Sequence, residues 1–102
     1  ILKPKCSFAK NIYWVVGIVL NKKSNLNVKK LSKILLRYGI QTRSFFWPMN
    51  KQKIFNNYKI MKRGSFSNSE YIAKYGLYLP SGLSLKKNEI LKVCKIINNV
   101  MK

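Results

Sequence analysis

Between Gly39 and Phe55 the chain reads GIQTRSFFWPMNKQKIF. Successive side chains of a strand point to opposite faces, so Phe45, Phe46 and Trp47 cannot all enter one core. The strand predicted over Ile40–Phe46 puts Ile40, Thr42, Ser44 and Phe46 on one face and Gln41, Arg43 and Phe45 on the other. Pro48 ends it. Whatever fold the chain takes must leave part of this aromatic cluster facing solvent, a ligand or another protein surface.

The flanking segments supply the rest of a small domain. Ile12–Leu20, IYWVVGIVL, is rich in β-branched and aromatic residues and reads as a strand buried on both faces, with Tyr13 and Trp14 in the core. Gly17 within it marks a bulge or a close backbone approach. After a polar loop, a helix is predicted over Val28–Tyr38, with Val28, Leu31, Leu35 and Tyr38 as its apolar stripe. Asn27 caps its start and Gly39 its end. The stretch from Lys51 to Phe66 is polar and poorly periodic and reads as an extended loop with one helical turn. Ser67-Asn68-Ser69-Glu70 has capping-box spacing ahead of a short helix that stops at Gly76. Leu77–Leu79 is a short strand closed by Pro80-Ser81-Gly82. Ser84 is placed to cap a last helix whose buried face is Ile90, Val93, Cys94, Ile97 and Val100. The order β, α, β, loop, short α, short β, α predicts one α+β domain over residues 1–102, a small sheet with helices packed on one face in a two-layer sandwich.

The side-chain inventory excludes much chemistry. Glu70 and Glu89 are the only carboxylate side chains, and aspartate and histidine are absent. A hydrolase built on paired carboxylates has almost nothing to use. Histidine-based triads and metal sites built on His or Asp ligands are excluded. Cys6 and Cys94 form no CxxC pair and fit a reducing, cytoplasmic location. No apolar run approaches the roughly 18 residues of a membrane helix, so no membrane partner is expected. The start, Ile1-Leu2-Lys3-Pro4-Lys5, is no signal peptide and lacks an initiator methionine, which suggests a fragment or processed product.

The net charge of +19 points to a polyanionic partner. However, 18 of the 21 basic residues are lysine, spread along the whole chain, and Asn and Ile occur 11 times each. All three have A/T-rich codons, so base bias competes with function as the source of the charge. Scattered lysines imply only non-specific nucleic-acid binding. Arg43 differs: a guanidinium between Thr42 and Ser44 and beside aromatics suits a phosphate or carboxylate, the plainer alternative being a surface pair with Glu70 or Glu89. Ser81, without a base, is no nucleophile.

Three phrases, in order, resemble the carboxy-terminal domain of the DegT/DnrJ/EryC1/StrS family of pyridoxal phosphate (PLP)-dependent sugar aminotransferases, and within it the perosamine-synthase-like members. They are IYWVVGIVL, LLRYGIQTRSFFWPMNKQKIF and SEYIAKYGLYLPSGLSL, and the resemblance covers roughly residues 10–102. The chain departs from the family pattern at three places. Ser44 stands where proline tends to follow the arginine, Asn50 where histidine is usual, and Lys53 where proline tends to follow the glutamine.

The resemblance implies the small C-terminal domain of a fold-type-I enzyme that moves an amino group from glutamate to a keto-deoxy sugar nucleotide. It implies substrate-lining roles for Arg43, Phe46, Trp47 and Pro48, with Asn50 at the histidine position. It also implies that the Schiff-base lysine and its acidic partner belong to a large domain upstream. With no aspartate and no glycine-rich phosphate loop, this chain alone is expected to hold no PLP, to carry no catalytic residue and to be inactive. The expected partners are a large PLP-binding domain in the same or a second chain and a nucleotide-sugar substrate, with a homodimer left open. Two alternatives stand beside this reading: a small basic nucleic-acid-binding module, and a truncated gene product that folds without activity.

Overall fold

A computed structural model describes residues 7–57 and 66–102, apart from the side chains of 56 and 57. The lead-in through Cys6, and the 58–65 part of the polar loop with Arg63, lie outside the described residues. The elements run β1 (Val16–Val19), α1 (Val28–Arg37), β2 (Arg43–Ser44), a 3-10 turn (Met49–Lys51), α2 (Lys53–Asn57), α3 (Ser67–Tyr75), β3 (Gly76–Leu79) and α4 (Lys87–Val100). Three antiparallel strands lie in the order β1-β3-β2, so the last strand in sequence is the central one. This is the predicted α+β arrangement. Among the described residues no helix is long and apolar enough to cross a membrane.

The apolar core forms between one sheet face and two helices. Leu31 and Leu35 of α1 are fully buried with Leu77 of β3, and Leu20 and Ile40 join them. Their separation of four residues puts both α1 leucines on one face. Ile18 and Leu79 of the sheet, and Val93, Ile96, Ile97 and Val100 of α4, pack around that centre. The α4 residues recur at helical spacing and form one stripe. Each fully buried leucine contributes about 1.5–3 kcal/mol by leaving water.

Several end signals act as predicted. The Asn27 side chain accepts from the Lys30 backbone N–H at 2.9 Å, capping α1. Gly39 follows the helix with φ +76°, a conformation glycine adopts without steric cost. Two caps differ. The N-cap of α3 is Phe66, one residue before Ser67, and its ring offers no acceptor for a side-chain cap, while the Glu70 carboxylate goes to Asn50 and Lys51. At α4 the first residue is Lys87, later than Ser84 would place it, because Glu89 reaches back to the Lys86 backbone N–H at 2.7 Å.

Five residues predicted as core or stripe are exposed. Tyr13 and Trp14 precede β1, which starts only at Val16. The reason is local: Tyr13 adopts φ +53°, and its N–H donates to the Asn11 side chain at 2.7 Å. A left-handed residue ends the extended run, so the chain cannot carry these rings into the sheet. Cys94 is exposed because the inward stripe of α4 runs through Val93, Ile96, Ile97 and Val100. Tyr38 is exposed because it is the C-cap of α1, past the last turn that meets the sheet. Ile90, expected on the buried face, is also largely exposed and borders an open cleft lined by Val16, Leu79 and Leu85.

Candidate functional site

The opposite side of the sheet is built from glycine and aromatic rings. The β1–β3 pairing sets Gly17 opposite Tyr78 and Val19 opposite Gly76. The β2–β3 pairing sets Arg43 opposite Tyr78. Phe45 follows on the same side, and its ring lies against both glycines and stacks on Tyr78 with centroids 4.2 Å apart. A Cβ on Gly17 would come within 2.6 Å of that ring, so Gly17 is a close-approach glycine rather than a bulge.

Alternation does not extend to Phe46, because β2 ends at Ser44. The Phe46 ring meets Tyr78 edge-on at 5.8 Å and stacks on Trp14 at 6.4 Å with planes 23° apart. Phe45, Tyr78, Phe46 and Trp14 thus form a continuous row of rings.

The outer end of this row borders a groove of about 740 Å³. It opens where β1 and β2 begin and β3 ends, and the middle of α1 bounds its far side through Ser32 and Leu36. Its walls carry Trp14, Phe46 and Tyr78, and Arg43 also lines it. The Ser32 and Thr42 hydroxyls bond to each other at 2.8 Å and tie α1 to the segment entering β2. The Ser81 hydroxyl donates to the Trp14 carbonyl at 3.4 Å, so the Pro80-Ser81-Gly82 turn anchors the aromatic wall. The left-handed Tyr13, a strain of about 1–3 kcal/mol, is concentrated where the chain delivers Trp14 to the groove.

Arg43 is not in an ion pair. Of the two carboxylate side chains, Glu70 takes the Asn50 amide at 2.8 Å and the Lys51 ammonium at 3.4 Å. Glu89 is held at the start of α4. The alternative that Arg43 is a surface partner of either glutamate is overturned.

The predicted site residues therefore separate. Arg43 and Phe46 share the groove. Trp47 points elsewhere, exposed, with its indole N–H donating to the Lys51 carbonyl at 3.2 Å. Pro48 is buried beneath the 3-10 turn that it opens. Asn50 bridges that turn to α3 through Glu70. The groove adds Trp14, Tyr78 and Ser81, which the sequence reading took as core, short strand and turn. The register of the two strand pairings brings these three to Arg43 from roughly 30–40 residues away in sequence, and no local pattern carries that information.

Over 87 residues, 85% of its length, the chain is 24% identical to GDP-perosamine synthase of Vibrio cholerae and spans 23% of that protein. Residues 3–98, nearly the whole chain, match one family, and the chain belongs to it: the DegT/DnrJ/EryC1/StrS aminotransferase family.

Proposed function

We propose that this chain is the small C-terminal domain of a PLP-dependent nucleotide-sugar aminotransferase, and that its groove closes over the substrate side of an active site whose cofactor a large domain carries. The observation that carries the reading is the groove itself, an arginine without a carboxylate partner set among three aromatic rings. A guanidinium suits a diphosphate, and aromatic faces suit planar or apolar ring surfaces. Family membership and similarity to GDP-perosamine synthase support the substrate class.

The residues of this chain do not by themselves fit PLP. The cofactor acts as an electron sink when an acidic side chain faces its pyridine nitrogen and a lysine holds its aldehyde. Both glutamates here are engaged elsewhere, by Asn50 and Lys51 and by the start of α4. On this reading the large domain supplies the acid, the lysine and the phosphate cup. The small domain binds and orients the sugar nucleotide and excludes water from it.

The test compares the chain alone with the chain joined to a lysine-bearing large domain of the family. Alone, it is expected to keep no visible PLP absorption band through dialysis and to show no turnover. Together, amino transfer from glutamate to a keto-deoxy sugar nucleotide is expected. Turnover by the chain alone, or none by the pair, overturns the reading. Tight, sequence-selective DNA binding at physiological salt favours the basic nucleic-acid module instead.

A further inference from the structure

We propose that Trp14 and Phe46 form an aromatic clamp for the nucleobase of a nucleoside diphosphate, with Arg43 holding the diphosphate beside it. The inference rests on the sugar-nucleotide reading of the groove and goes beyond it by assigning the base to Trp14.

Three observations carry it. First, the two rings stack with planes only 23° apart, yet Trp14 stays 69% and Phe46 70% exposed. Rings that served only to pack would be covered, whereas these keep much of their surface open to the groove. Second, Trp14 is held there against local preference. The left-handed Tyr13 turns the chain out of β1, and hydrogen bonds flank Trp14 on both sides, from the Tyr13 N–H to Asn11 and from the Ser81 hydroxyl to the Trp14 carbonyl. Strain of this kind gathers at ligand clamps, where surrounding contacts over-determine it. Third, a planar stacking surface and an unpaired guanidinium line one groove. A nucleoside diphosphate matches that pairing, since its base stacks on aromatic faces and its diphosphate accepts bidentate bonds from arginine.

Isothermal titration of the chain with GDP, guanosine and inorganic pyrophosphate tests the assignment, with circular dichroism to confirm that each variant is folded. GDP is expected to bind more tightly than pyrophosphate. Trp14→Leu should weaken GDP at least fivefold, the loss of about one base-stacking contact, and leave pyrophosphate unchanged. Trp14→Phe should retain most of the affinity, and Arg43→Gln should weaken GDP and pyrophosphate alike. Equal binding of GDP and pyrophosphate, no GDP binding by the folded chain, or an unchanged GDP affinity in Trp14→Leu overturns the clamp. So does a Trp14→Leu variant that loses affinity for the large domain but not for GDP, because the ring is then a domain contact.

The same variant in the assembled aminotransferase separates this inference from the reading beneath it. Turnover with an unchanged KM for the sugar nucleotide in Trp14→Leu sinks the clamp and leaves the aminotransferase standing. GDP binding with the expected variant pattern, but no turnover by the assembled protein, sinks the aminotransferase and leaves the clamp.

Discussion

The two sides of the three-stranded sheet are built on opposite principles. On the helical side, Leu31 and Leu35 of α1 and Leu77 of β3 are fully buried, with partly buried apolar residues of α4 packed against them. On the other side the sheet surrenders side chains altogether at Gly17 and Gly76, and one ring, Phe45, lies across the bare backbone. The inner rings, Phe45 and Tyr78, are half-buried, and the outer rings, Phe46 and Trp14, are exposed at the groove. The first side is a core complete in itself. The second is a core at its inner end and a recognition surface at its outer end.

The largest effect is expected where that contrast is sharpest. Leu31→Ala empties a site with no exposure, at the meeting point of both helices and the sheet. Such truncations cost about 2–5 kcal/mol, a large share of the stability of a small domain. Chemical denaturation of the variant against the parent chain measures it. A loss below about 1 kcal/mol would mean that the helical side is as loosely packed as the aromatic side, and the contrast would collapse.

The next prediction tests whether Phe45 is structural at its inner end. A Cβ on Gly17 meets the far end of the Phe45 ring, whereas a Cβ on Gly76 meets both that ring and the Ile72 backbone carbonyl at 2.5 Å. A ring can be trimmed, but a backbone carbonyl at the end of α3 cannot. Both Gly17→Ala and Gly76→Ala should destabilise by about 1–3 kcal/mol through overpacking. Adding Phe45→Leu should recover most of the loss for Gly17→Ala and little for Gly76→Ala. Double-mutant cycles by thermal unfolding read the difference. Equal recovery at both positions would show that the ring alone sets the glycine requirement.

Sequence patterning read these two sides unequally, for a physical reason. The helical side follows local rules: a 3.6-residue stripe, an Asn27 cap and a left-handed Gly39 all act within a few residues of chain. Arg43 and Phe46 were legible as site candidates because an arginine beside surplus aromatics has a local explanation. Trp14 was not, because a β-branched and aromatic run reads as buried strand until one residue, Tyr13, turns left-handed. Nor was the position of Asn50 outside the groove legible, since Asn50 is held by Glu70 from 20 residues away. A local backbone turn decides the first and a tertiary contact the second.

The smallest effect is expected at Trp47, and it sharpens the comparison from the exposed end. Three aromatics in succession cannot share one core, and the structure divides them: Phe45 is half-buried over the glycines, while Phe46 and Trp47 are exposed. Unlike Phe46, Trp47 has no ring partner among the described residues, and its one polar contact, to the Lys51 carbonyl at 3.2 Å, is itself exposed. Trp47→Ser should therefore change stability by less than about 1 kcal/mol, the usual range for surface sites. It should still be felt in solution, because an exposed indole, in a segment where Met49 and Ile54 are exposed as well, adds apolar surface suited to being covered. Sedimentation of the chain over a range of concentrations should show weaker self-association for Trp47→Ser than for the parent. If the variant unfolds instead, Trp47 belongs with Phe45 in the packed part of the row, and the boundary between core and recognition surface moves outward past it.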